Sequence, residues 1–380
     1  MSKEHKWLDL QPYLRREPIT LALLTGLAIV LFAAVTGIAR LYQAQEDALA
    51  ERWSSRGADD LKAANYAAAV VDFRTSLLYA RDDYSYQLNL ALALVGENRF
   101  DEAEAYLENL WELQPENGLV NLELARVAVA RKQAGRAIRY YNNAIYAVWP
   151  GGQDAERRAT RLEFINYLLR TDAKAQADSQ LIAMAGNLND DPKQHEQAGQ
   201  LFLQAQDYQR ALDQFRLALR RDRRNQEALA GAGDAAFKLG EYAQAEHYLE
   251  AAVDNGDKTE ESQLRIARLV IEMDPFRQQI STADRDRIAL DAFGAAGARL
   301  QACTAPGPFN VPAATLVSLT QDWTSLKPQM TEQQLRRNPD LASTAMQLVF
   351  DIEHQTSGLC GSSTDTDNAL LLISNMHQGM

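Results

Sequence analysis

The chain has 380 residues, 46% hydrophobic and 24% charged, with 20 glycines and 11 prolines, the composition of a folded rather than a disordered protein. Its formal net charge of −12 excludes the uniformly basic surface of a nucleic-acid binder, and no nucleic-acid partner is expected. Alanine is abundant and β-branched runs are scarce, so helix is favoured throughout.

The first expected element is a membrane span. From Pro18 to Ala39 no residue is charged, and the run ITLALLTGLAIVLFAAVTGIA is almost wholly apolar. A helix of that length reaches about 33 Å, enough to cross a hydrocarbon layer of about 30 Å. A cleaved signal peptide is the rival reading, but its apolar region is normally only about 7–15 residues long. We therefore expect a short tail over residues 1–17 and an uncleaved anchor over residues 18–41. Lys3, Lys6, Arg15 and Arg16 precede the span, against Arg40, Arg52 and Arg56 in the equal stretch after it. That bias favours a cytoplasmic N-terminus and a periplasmic body on an inner (cytoplasmic) membrane. Ala22 with Gly26, and Ala33 with Gly37, have the spacing that permits close contact between helices.

Beyond the span the sequence repeats. Tyr242 is followed by Ala245, Leu249 and Ala252, with Gly233 nine residues before it. Stepping back 34 residues reaches Tyr208, with Ala211, Phe215 and Ala218 after it and Gly199 before it. The same frame holds at Tyr66 (Gly57, Ala69, Phe73, Ser76) and at Phe100 (Ala91, Ala103, Leu107, Leu110). It holds again at Ala134 (Ala125, Ala137, Tyr141, Ala144). Ala134 and Tyr208 are 74 residues apart, two periods plus six, so a degenerate copy is expected over 161–190 with Ala177 and Leu181 in place. The extra residues fall at Pro150-Gly151-Gly152, which breaks a helix. A last, atypical copy starts near Glu260 and breaks at Asp274-Pro275; Ser281 and Asp284 then have capping-box spacing for a helix running to Cys303.

These residues, together with Trp53 and Pro115, resemble the tetratricopeptide repeat, whose 34-residue units are antiparallel helix pairs. The resemblance covers about residues 50–300. Small residues in the first helix let its partner approach, the aromatics fill the gap to the next pair, and stacking is obligatory because no pair buries its apolar face alone. The expected fold is all-α. It comprises an N-terminal transmembrane helix, a solenoid of six to seven repeats over residues 42–303, and a C-terminal helical cap or docking module over residues 304–380. In that last part helices are expected near 313–325, over 331–353 with a break at Asn338-Pro339, and over 368–376.

No constellation of residues points to catalysis, a cofactor or a metal. His195 opens HEQAG, which lacks the second histidine of a zinc-protease motif. Gly231 opens GAGDAA, but no strand precedes it and Gly233 is already a packing glycine. His5, His195, His247, His354 and His377 are scattered without metal-ligand spacing. His247 falls on the face turned from packing, with Glu246 and Glu250 as solvated helix charges. Asp365 and Asp367 are expected to cap a helix beginning near Asn368. The chain is read as a non-enzyme.

The resemblance implies a groove lined by the first helices that holds a peptide or extended partner segment. Leu88, Leu92, Leu122 and Arg126 fall where that lining would lie, in place of the Lys, Asn and Arg set of the family's carboxylate clamp. The alternative is that these leucines pack between neighbouring copies. Cys303 and Cys360, the only cysteines, are either a disulfide suited to an oxidising compartment, contributing about 4 kcal/mol, or two separate buried thiols. The functional expectation is a membrane-anchored scaffold or adaptor for an envelope complex. A chaperone-like holder of translocating segments and a non-catalytic accessory subunit of a membrane enzyme complex are the other two readings.

Overall fold

The computed structural model describes residues 11–149, 154–304, 313–360 and 364–377. Every regular element among them is helical, and an isolated β-bridge joins Asn117 to Val148. The expected break at Pro150-Gly151-Gly152 lies outside the described residues.

The chain opens with α1 (Gln11–Lys62), a single helix of 52 residues. It carries the apolar run and the first helix of the first repeat, so no break falls at residues 41–42. The reason is local: from Arg40 to Arg56 there is neither glycine nor proline, and the stretch is rich in Ala, Leu, Gln and Glu. The apolar stretch makes this the one described helix long and apolar enough to cross a membrane, and it is unburied.

Helix pairs follow. α2 (Tyr66–Tyr79) packs on the C-terminal part of α1; α3 (Tyr84–Gly96) pairs with α4 (Phe100–Leu113), and α5 (Gly118–Ala130) with α6 (Ala134–Tyr146). α7 (Asp154–Arg170) and α8 (Lys174–Ala185) occupy the degenerate copy. α9 (Pro192–Ala205) pairs with α10 (Tyr208–Arg221), α11 (Gln226–Lys238) with α12 (Tyr242–Asp254), and α13 (Glu261–Met273) packs on α12. Each sequence marker, from Tyr66 to Tyr242, is the first residue of the second helix of its pair. The residues three and seven beyond them, such as Ala69, Phe73, Ala103, Leu107, Ala211 and Phe215, are all fully buried. Ala177 and Leu181 are fully buried too, so the degenerate copy keeps its packing frame. The first helices are small where the aromatics arrive. A Cβ on Gly231 would lie 2.3 Å from the Phe215 ring, and one on Gly233 would lie 2.5 Å from the Leu249 side chain.

The turn inside each pair repeats as well. Ala64, Asn98, Lys132, Asp172, Gln206 and Gly240, each two residues before the second helix, all have φ between 58° and 78°. The next N–H donates back to the carbonyl five residues earlier, as from Asn65 to Asp60 and from Gln133 to Ala128, which closes the preceding helix as a Schellman motif. At the other end of the pairs, Asp83, Asn117, Asp191 and Asn225 cap α3, α5, α9 and α11 through their side chains.

The chain divides into two compact units, Met1–Phe164 and Ile165–Met380. The second also contains α14 (Thr282–Thr304), α15 (Ala313–Leu326), α16 (Glu332–Arg337), α17 (Asp340–Leu359) and α18 (Asp365–Met376). α17 lies on α14 and α18 on α13, where Arg265 meets Asp365 at 3.0 Å and His377 meets Asp274 at 3.1 Å. α18 starts three residues earlier than the sequence suggests. Thr364 is its N-cap and accepts from the Asp367 N–H, while Asp367 reaches back to the Thr364 N–H, a complete capping box. Asp365 sits in the first turn instead of capping it, and Asp367 caps in partnership with Thr364.

Candidate partner-binding faces

In the unit Met1–Phe164 the residues assigned to a groove differ in exposure. Leu88 and Leu92 on α3 are half-buried, while Leu122 on α5 is only 7% exposed. Arg126 is exposed at the surface of α5, yet its guanidinium is engaged on both sides. Nε and Nη2 donate to the two carboxylate oxygens of Glu163 on α7 at 3.0 and 2.7 Å, and Nη1 donates to Glu123 at 2.7 Å. The Tyr141 hydroxyl also donates to Glu163, at 2.8 Å. Glu123 is 4% exposed, and burial pushes its carboxyl above the usual range against the opposing pull of Arg126. Arg126 is a clamp between α5 and α7. Glu163 escapes a fixed-period reading because it follows Glu123 by one period plus the six-residue insertion, and so occupies the same repeat position.

In the unit Ile165–Met380 the first helices α9, α11 and α13 enclose a groove of about 540 Å³. Leu203, Phe237 and Ile266 supply apolar wall, and Gln200, Asp234, Glu260, Ser262 and Gln263 supply donors and acceptors. Small residues make the room: Ala230 and Gly231 sit between the larger side chains of α9 and α13. Gln263 Nε2 donates to Asp234 at 2.9 Å, orienting that carboxylate. Burial, with Asp257 and Asp234 nearby, raises the pKa of Glu260. The groove is net acidic and amide-rich, which suits an extended segment offering N–H groups and a cationic side chain. A smaller cavity of about 430 Å³ lies between α12, α13 and Met376 and is mostly apolar.

The other residues singled out in the sequence fall into place as structure. His195 is 8% exposed, with Nδ1 2.8 Å from Gln214 Oε1, a satisfied core histidine. GAGDAA is an interior stretch of α11. His247 is exposed. Its neighbours Glu246 and Glu250 are not free helix charges, because Arg268 of α13 pairs with both, at 3.0 and 2.5 Å. No group of His, Cys, Asp and Glu among the described residues could hold a metal ion. Cys303, near the end of α14, and Cys360, just after α17, have Cα atoms 5.3 Å apart, inside the range that a disulfide spans.

Residues 94–148 match one tetratricopeptide repeat family model, and residues 197–258 match another. Those two stretches carry tetratricopeptide repeats. The comparison with curated proteins returned no match. Among solved structures, YrrB, described as a tetratricopeptide protein with an unusual peptide-binding site, is 18% identical with a TM-score of 0.38, over 50% of this chain and 94% of its own. The C-terminal part of a tetratricopeptide repeat-containing protein from Cytophaga hutchinsonii is 14% identical with a TM-score of 0.44, over 62% of this chain and 92% of its own. The tetratricopeptide domain of P58(IPK) is 10% identical with a TM-score of 0.30, over 87% of this chain and 99% of its own.

Proposed function

We propose that the protein is a single-pass, membrane-anchored tetratricopeptide scaffold whose repeats bind an extended segment of a partner protein. The observation that carries this reading is the groove along α9, α11 and α13, where Asp234 and Glu260 flank an apolar wall in a row of repeat units. The anchor reading is supported by the unburied apolar stretch of α1. A periplasmic body is supported by the excess of basic residues before the span. The approach of Cys303 to Cys360 agrees with it, because a disulfide between them would persist in an oxidising compartment. The work assigned to the protein is assembly or support of an envelope complex. No constellation of side chains among the described residues favours a reaction, and the non-catalytic reading rests on the repeats, which serve as an interaction fold.

The test is affinity purification of the full chain after mild detergent extraction. The wild-type protein should bring down one stoichiometric complex. Asp234→Arg, which reverses a charge in the groove, should lose it, while Asp254→Arg at the exposed end of α12 should retain it. Equal recovery by both variants, each with an unchanged melting curve, would remove the groove from the account.

A further inference from the structure

Single exposed apolar side chains are ordinary on a protein surface. In the unit Met1–Phe164, however, four of them gather at one end of the helix pairs: Leu78 is 80% exposed, Leu113 65%, Tyr146 73% and Val148 66%. Leu78 is the penultimate residue of α2, Leu113 and Tyr146 end α4 and α6, and Val148 lies in the turn after α6. This is the end at which α1 arrives from its apolar run. The Ser76 hydroxyl, near the end of α2, donates to the Ala50 carbonyl of α1 at 2.9 Å. Burial, and then the carboxylates of Asp83, Glu51 and Asp47, raise the pKa of Tyr86 in the first turn of α3, so that turn lies beside Asp47 and Glu51. The edge continues outward: Asn117 donates to the Tyr84 hydroxyl at 3.1 Å, and the Gly118 N–H donates to the Val148 carbonyl at 3.1 Å.

The level of this edge follows from the helix. Asp47 lies about 9 Å along α1 from residue 41, where the expected span ends, and the headgroup layer adds about 5–8 Å to each side of the hydrocarbon. With neither glycine nor proline from Arg40 to Arg56, α1 has no hinge that would lift the edge away. The opposite end of the same pairs is polar, its turns carrying Lys62, Glu97, Arg99 and Arg131, with no large exposed apolar residue among those described. In the unit Ile165–Met380 the turns equivalent to the apolar edge carry Arg220-Arg221-Asp222-Arg223-Arg224 and Asp254-Asn255-Gly256-Asp257. The apolar edge therefore belongs to the repeats attached to the span and not to the repeat fold in general.

We propose that the edge bearing Leu78, Leu113, Tyr146 and Val148 rests on a lipid surface, the headgroup layer of the bilayer that holds α1. The inference rests on the membrane-anchor reading. The contact is apolar and interfacial in character, with Tyr146 suited to the headgroup level. The same turns carry Arg81 against Asp82, Asp83 and Glu116, a net negative balance, so attraction to anionic lipid does not drive it and zwitterionic headgroups suffice.

The experiment places a benzophenone side chain, one position at a time, at residues 78, 113, 146 and 148 of the full chain reconstituted in phosphatidylcholine nanodiscs. Residue 27 within the span is the positive control, and residues 98 and 132 on the opposite edge are the negative controls. These edge positions are exposed, so the variants should melt as the wild type does. The expected result is lipid adducts at 27 and along the apolar edge, at least tenfold above those at 98 and 132. Adducts at 27 alone would overturn the inference and leave the anchor standing. Absence of adducts at 27 would overturn the anchor reading and the inference with it. Protein–protein adducts at the edge in place of lipid adducts would assign it to a second copy and overturn the lipid contact.

Discussion

Arg126 on α5 holds Glu163 on α7 through two parallel N–H donors, at 3.0 and 2.7 Å, while its remaining arm neutralises the buried Glu123 at 2.7 Å. Removing the arginine strands a carboxylate that is 4% exposed. Arg126→Ala should therefore cost about 2 kcal/mol in urea unfolding, discounted from the fully buried case because Arg126 itself is exposed. Adding Glu123→Gln should recover at least half of that loss. A loss below about 0.5 kcal/mol, the scale of a surface pair, would show that the clamp is a solvated contact.

The turns within the pairs offer a stability test that depends on the backbone alone. Lys132 has φ of 58° and Gly240 has φ of 78°, and a Cβ on Gly240 would meet nothing within 4 Å. Lys132→Gly should stabilise by about 0.5–1 kcal/mol, relieving left-handed strain, and Gly240→Ala should destabilise by about 1 kcal/mol. Equilibrium denaturation reads both, and effects of equal sign would contradict the strain argument.

Glu353 makes stability depend on pH. It is 2% exposed among α14, α17 and α18, near Asp367 and Arg299, which approach each other to 3.9 Å. Burial chiefly, with Asp367 adding and Arg299 opposing, pushes its carboxyl up to about 8. The folded pKa is above the unfolded one, so on raising the pH the unfolded chain releases the proton first. Stability contributed by this group falls between the ordinary carboxylate range and about pH 8, then levels off. Glu353→Gln should flatten that slope and stabilise by about 2 kcal/mol at pH 8 while changing little at pH 4. Thermal melts across this range check it, and an equal effect at both ends would exclude the titration of Glu353.

Cys303 and Cys360 should be joined in protein isolated without reductant. Non-reducing electrophoresis with thiol labelling should find no free thiol, and Cys303→Ser should lower stability by about 4 kcal/mol under oxidising conditions only. Two labelled thiols in freshly prepared protein would make them separate residues.

The fold was legible where one residue type recurs for one packing reason. Ala69, Ala103, Ala137, Ala211 and Ala245 are all fully buried, because the small side chain there sets the spacing of each pair. The caps Asp83, Asn117, Asp191 and Asn225 recur in the same frame and could have been found by searching for polar rather than apolar periodicity. The left-handed turns could not, since Ala64, Asn98, Lys132, Asp172 and Gln206 share a geometry and no chemistry. The helix packing on either side imposes that geometry. The acidic groove was hidden for a related reason. Asp234 lies inside GAGDAA, whose glycines announce close packing, and its partner Gln263 is 29 residues away on another helix. The repeat frame gives Arg126 a place on the groove-lining helix, but it does not give its partner Glu163, which arrives across the insertion.

The central claim is that a partner segment lies along α9, α11 and α13. Hydrogen exchange on the purified protein with and without its co-purified partner tests this most directly. The account predicts slowed exchange in those three helices and in the turn around Thr259, with α10 and α12 unchanged. Protection confined to α10 and α12, or none in the unit Ile165–Met380, would contradict it.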